Sequence, residues 1–124
     1  VEWMDDFSLN GISSFFSGLA VLSVPVLKGE AFGLYQIESM ASGIPIVQPA
    51  LGAFPEIVRA SGGGLTYSPN TAHTLAETLA GLFSDPAKLS RMSLNGRAAV
   101  SGHFNCESIT KRMVGVYEKV LIKS

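Results

Sequence analysis

The segment at residues 29–45, Gly-Glu-Ala-Phe-Gly-Leu-Tyr-Gln-Ile-Glu-Ser-Met-Ala-Ser-Gly-Ile-Pro, constrains this chain more than any other. An apolar run rich in valine and leucine precedes it at residues 20–26, and a second, Ile44-Pro45-Ile46-Val47, closes it. Continuous apolar runs of this length suit strands buried on both faces, as in parallel sheets covered by helices. Between the runs, the residues predict a loop that becomes a helix near Gly33 and stops at Gly43. Strand, loop, helix and strand in that order is the repeating unit of a parallel α/β fold.

Two glutamates, Glu30 and Glu38, bracket the loop-to-helix transition with seven residues between them. With Glu30 ahead of the helix and Glu38 one turn inside, the N–H groups around Phe32 to Leu34 lie between two carboxylates. A helix N-terminus carries unpaired donors and a partial positive charge, which suits an anion. Carboxylates only accept hydrogen bonds, which suits hydroxyl-rich groups on either side of that anion. Sugar, phosphate and ribose make up such a ligand. An all-helical step of eight residues would rise about 12 Å, the order of a ribose-to-sugar separation across a diphosphate. On composition alone Glu30 reads as a solvated loop carboxylate, and Glu38 equally as a helix-surface glutamate. Leu34, Ile37, Met40 and Ala41 are expected on the helix's buried face, with Glu38 at its border.

The rest of the chain continues the pattern. Residues 1–4 read as a short strand, and Ser8 or Asn10 as the cap of a helix reaching about Gly18, with Phe7, Ile12, Phe15, Phe16 and Leu19 on its apolar face. Pro55 starts a short helix through Ala60, Gly62-Gly63-Gly64 turns, and Leu65-Thr66-Tyr67 forms a short strand. A helix with Leu75, Leu79, Leu82 and Phe83 on one side follows. Asp85-Pro86 caps and opens another with Leu89 and Met92 inward, and Asn105 caps a last one with a buried stripe of Ile109, Met113, Val116 and Val120. About four strands are expected, the last three helices following without strands between them.

Charge and composition remove other classes. The 124 residues carry a formal charge of −1 with no basic run, which argues against nucleic acid as a partner. Cys106 is the one cysteine, so the chain holds no internal disulfide and no cysteine metal site. His73, His103 and Cys106 form no nucleophile–base pattern and no metal-ligand spacing. The longest apolar stretch, about nine residues at 19–27, falls short of the roughly 20 that a membrane helix needs. The chain opens Val-Glu-Trp-Met, without an initiator methionine or a basic region ahead of an apolar run. The expectation is a piece of a longer, cytoplasmic protein.

Glu30-Ala31-Phe32-Gly33 through Glu38-Ser39-Met40-Ala41-Ser42-Gly43-Ile44-Pro45-Ile46-Val47 resembles the Glu-x7-Glu motif of retaining nucleotide-sugar glycosyltransferases. More narrowly, it resembles the glycosyl transferases group 1 family with the GT-B architecture. Gly52-Ala53-Phe54-Pro55-Glu56 is similar to that family's Gly-Gly-x-Pro-Glu segment, with Ala53 in place of the second glycine. Gly62-Gly63-Gly64-Leu65 and Asp85-Pro86 also match in position, so the resemblance covers nearly the whole chain.

The resemblance implies an α/β fold: a Rossmann-like parallel sheet flanked by helices, the second half of a C-terminal nucleotide-sugar-binding domain. It implies that Glu30, the catalytic candidate, meets hydroxyls of the donor sugar. Glu38 would accept from the ribose. Phe32, Gly33 and Leu34 would act through main-chain N–H groups toward the diphosphate or sugar, and Gly52 through close backbone approach. The donor would be a nucleotide sugar such as a UDP- or GDP-sugar, and the acceptor a glycan, lipid or small molecule, with no cofactor and no metal. The family's diphosphate-binding Arg and Lys, and its N-terminal acceptor domain, would lie outside this chain, with any membrane contact made by that missing domain. Lys28 is the only basic residue near the motif. The fragment alone is therefore expected to be inactive. A non-catalytic nucleotide- or sugar-binding module is the competing reading; an epimerase or phosphorylase on the same architecture fits the motif order less well.

Overall fold

A computed structural model of the chain describes residues 8–122, with the side chain of Leu9 outside that description. The elements run α1 (Leu9–Ser17), α2 (Leu34–Ala41), β1 (Ile46–Pro49), α3 (Phe54–Ser61), β2 (Gly64–Tyr67), α4 (Ala72–Phe83), α5 (Pro86–His103) and α6 (Cys106–Ile122). The strand expected at residues 1–4, and Phe7, lie outside the described residues. β1 and β2 pair in parallel, Ile46 opposite Gly64 through Pro49 opposite Tyr67.

Every residue of β1 is buried, and alternation along the strand sends its side chains to opposite faces. Ile46 joins Phe16, Leu22, Met40 and Ile57 in one core. Val47 joins Tyr67, Leu82 and Met92 in the other. The sheet is thus covered on both faces, as a parallel sheet requires. α5 serves both layers, with Leu89 and Met92 in the second core and Val100 against the first. The predicted caps form: Ser8 accepts from Gly11 N–H, Asp85 from Lys88 N–H and Asn105 from Ser108 N–H.

Four expectations need correction. The apolar run at 20–26 makes a single parallel bridge, Leu22 to Ile46, and no full strand. Leu22 N–H donates to Pro45 O and Leu22 O accepts from Val47 N–H, both at 2.9 Å. Two residues on, Val24 N–H turns instead to the side-chain Oε1 of Gln48, at 3.1 Å. Pro25 then has no N–H to give, so the ladder stops. Of the three strands expected among the described residues, two form and the one at 20–26 is reduced to a single bridge.

α2 is also rotated from its expected face. Gln36, Ser39 and Met40 are its buried residues, whereas Leu34 is 69% exposed and Ala41 is exposed. The polar side chains set this rotation because each is tethered to backbone. Gln36 Nε2 donates to Phe32 O at 2.7 Å, and Ser39 Oγ donates to Ile44 O at 3.0 Å. At the other end Arg97 donates to Ser42 O, a cation favourably placed at a helix C-terminus.

Finally, the stripe on α6 is amphipathic but not buried. Ile109, Met113, Val116 and Val120 are all exposed, since no element among the described residues lies over that face. Phe83, expected inward on α4, is likewise exposed.

Candidate functional site

Two loops meet at the carboxyl end of the sheet, the usual place for ligands in open α/β folds. One carries Glu30 from the bridged segment to α2. The other, residues 50–53, follows β1. They are in backbone contact: Ala53 N–H donates to Glu30 O at 3.1 Å. Gly52 makes this possible. Its φ is +53°, and a Cβ built there would stand 2.4 Å from Glu30 O and 2.8 Å from Glu30 N. Ala53, by contrast, has an ordinary right-handed backbone, φ −80° and ψ −6°. A methyl group is tolerated at that position, which explains how the chain departs from the second glycine of the motif without strain.

Gly33 turns the Glu30 loop into α2. It is the N-cap residue at φ 78° and ψ 79°, with no side-chain cap, a conformation that favours glycine. Among the described residues no acceptor engages the N–H groups of Phe32, Gly33 or Leu34. Unpaired donors at a helix start, with the positive end of its dipole, form an anion-binding surface. Glu38 sits one turn inside α2, exposed, and its carboxylate has no hydrogen-bond or ion-pair partner among the described residues. Glu30, Phe32, Gly33, Leu34 and Glu38 therefore all fall on one loop-and-helix unit, with the carboxylates on either side of free N–H groups.

Other residues act here that the sequence did not single out. Tyr35, unremarkable in the sequence as either a surface or a packing residue, packs against the first core and donates its hydroxyl to Glu30 Oε1 at 3.1 Å. Burial, then the hydrogen bond and charge of Glu30, push the Tyr35 pKa up to about 12. Its spacing of five from Glu30 was the available signal, and it needs the turn at Gly33 to be readable. Gln36, fully buried, holds the loop through Phe32 O. Three buried polar atoms, Ser23 Oγ, Gln36 Oε1 and Gln48 Nε2, have no partner among the described residues; ordered water is the usual partner of such atoms.

Beside the loop, Phe32, Ala53 and Glu56 share a cleft of about 500 Å³ with His103, Phe104 and Arg112. Arg112, from α6, lines this cleft and its guanidinium donates to His103 O at 2.6 Å. No sequence signal pairs it with the motif, because it is 80 residues beyond Phe32. Glu56 lines this cleft from the first turn of α3. Lys28 is exposed at the start of the loop. His73 faces Glu77 at 3.4 Å on the exposed side of α4, and Cys106 is an exposed thiol. Among the described residues no three His, Cys, Asp or Glu side chains group so as to hold a metal ion, and no helix is long and apolar enough to cross a membrane.

The chain matches the family model described as glycosyl transferases group 1 over residues 6–99. It is 33% identical over 113 residues to the MMP alpha-(1->4)-mannosyltransferase of Mycolicibacterium hassiacum, a match covering 90% of this chain and 27% of that protein. The fold superposes on sucrose-phosphate synthase from Thermosynechococcus elongatus with a TM-score of 0.73 and 34% identity, covering 89% of this chain and 27% of that one. Against Anabaena HepE, solved with UDP and glucose, the TM-score is 0.76 at 21% identity, covering 87% of this chain and 29% of that one. The chain spans about a quarter of the length of the curated relatives it matches. With the Glu30–Glu38 unit set at the carboxyl end of a parallel sheet, the α/β fold is that of GT-B glycosyltransferases, and the chain belongs to the glycosyl transferases group 1 family.

Proposed function

We propose that this chain is the donor-binding part of a retaining glycosyltransferase, which moves a sugar from a nucleotide diphosphate sugar to an acceptor hydroxyl. The observation that carries this reading is the α2 start: free N–H groups at Phe32, Gly33 and Leu34, flanked by Glu30 and Glu38. On this reading Glu38 accepts from the ribose hydroxyls, the N–H groups face the diphosphate, and Glu30 accepts from the sugar. As the bond from the anomeric carbon to the diphosphate breaks, negative charge grows on the leaving group. Fixed donors aimed at that charge are the largest catalytic term available to such a site. The diphosphate-binding cations and the acceptor domain belong to the rest of the protein, and no metal is required. HepE, solved with UDP and glucose, supports a nucleotide-sugar ligand, and a UDP- or GDP-sugar is the donor class proposed. The single thiol, Cys106, fits a cytoplasmic protein.

The test is product stereochemistry. The full-length protein, incubated with UDP-, GDP- and ADP-sugars and candidate acceptors, is expected to give product with the donor's anomeric configuration, read from the anomeric proton by NMR. The isolated chain is expected to give none. Inverted product, or turnover by the isolated chain, would contradict the reading.

A further inference from the structure

Glu30 is a flexible side chain in a loop, yet its carboxylate must meet a sugar in one geometry. The structure contains a device for this. Tyr35 lies in the first turn of α2 and packs against the first core. Its hydroxyl donates to Glu30 Oε1 at 3.1 Å. Gly33 lies between the two: a Cβ built there would stand 3.1 Å from Tyr35 Cζ and 3.2 Å from Glu30 Oε2. The ring and the carboxylate therefore both close on the bare Cα of Gly33. Oε1 is engaged, and Oε2 is left beside the residue whose N–H has no acceptor.

We propose that Tyr35 is a positioning residue that fixes the rotamer of Glu30 and occupies its Oε1, so that Oε2 is the oxygen presented to the donor sugar's hydroxyls. The proposal rests on the reading of Glu30 as the sugar-facing carboxylate. The hydroxyl is a dependable donor, because burial and then Glu30 raise its pKa to about 12. A raised pKa means that the protonated contact is fully present below the ordinary tyrosine value and lost as pH rises through the folded value. The contact thus persists at any working pH. Orientation is the term at stake, since a misaligned catalytic group costs rate more than it costs ground-state affinity. Loss of the nucleotide contacts at Glu38 is not involved, so donor KM is expected to change little.

The test is a double-mutant cycle in the full-length protein. Tyr35→Phe keeps the ring in the core and removes only the hydroxyl. It is expected to lower kcat about tenfold, the scale of one hydrogen bond to a charged group, with donor KM within about twofold. Its discrimination against donors lacking one sugar hydroxyl should weaken in parallel. Combined with Glu30→Gln, it should add no further loss. If Tyr35→Phe lowers the melting temperature, rates are normalised to the concentration of UDP- or GDP-binding sites, which separates misfolding from misorientation. Wild-type kcat in Tyr35→Phe alongside a damaged Glu30→Gln would overturn the role of Tyr35 alone. A silent Glu30→Gln would overturn the sugar-facing reading of Glu30, and the proposal with it.

Discussion

Gly52→Ala is expected to lower kcat/KM by about a hundredfold while leaving the chain folded. The Cβ would lie 2.4 Å from Glu30 O and 2.8 Å from Glu30 N, and both are backbone atoms, not the ends of flexible side chains. Gly29 offers no room, because its own Cα faces Gly52 N in the same crossing. Relief requires the Glu30 loop to move by the order of an ångström, breaking the bond from Ala53 N–H to Glu30 O. The positive φ of 53° adds strain of about 1–3 kcal/mol for a residue other than glycine. A shift of about 1 Å at a positioning loop costs roughly a hundredfold in rate. Neither Gly52 nor Glu30 belongs to either core, although Ala53 and Tyr35 border the first, so circular dichroism and cooperative melting of the full-length protein should persist. Steady-state kinetics on that protein gives the answer, and unchanged kcat/KM would show that the loop contact does not set the site.

Glu30→Gln is expected to cost about ten- to a hundredfold in kcat/KM, the worth of hydrogen bonds that lose a charged acceptor. The substitution is nearly isosteric. It leaves one carbonyl to accept from Tyr35, but turns the second oxygen into an NH2 that repels the free N–H groups at Gly33. Binding of the nucleotide alone should be little changed, because its proposed ribose contact is Glu38. The check is a comparison of donor-sugar turnover with UDP or GDP affinity in the same preparation. Equal losses in both would mean that Glu30 serves the fold of the loop rather than the sugar.

Much of this arrangement is legible in the residues. Gly33, Gly43 and Pro55 mark where helices start and stop, and Ser8, Asp85 and Asn105 cap as their side-chain chemistry dictates. Placing Glu30 before a helix and Glu38 inside it needs only those signals. The rotation of α2 is different in kind. A wheel built on apolarity buries Leu34, while the structure buries Gln36 and Ser39, because side-chain bonds to Phe32 O and Ile44 O outweigh the transfer of one leucine. The run at 20–26 shows a similar limit: apolar composition predicts burial, but Gln48 intercepts Val24 N–H and ends the pairing. For α6, periodicity identifies an apolar face and says nothing of what covers it. Tyr35 hides for a simpler reason. Its ring does pack in the core, and the one atom that matters is the hydroxyl at its edge.

The Glu30–Glu38 unit is proposed to hold a nucleotide sugar with its ribose at Glu38. Ligand-observed NMR on the full-length protein with UDP-, GDP- and ADP-sugars, comparing wild type with Glu38→Ala, tests it directly. Loss of charge-assisted bonds to the ribose should weaken binding of one nucleotide class at least tenfold, about 1.4 kcal/mol, and identify the base at the same time. Binding unchanged by Glu38→Ala, or absent for every nucleotide sugar, would contradict that placement.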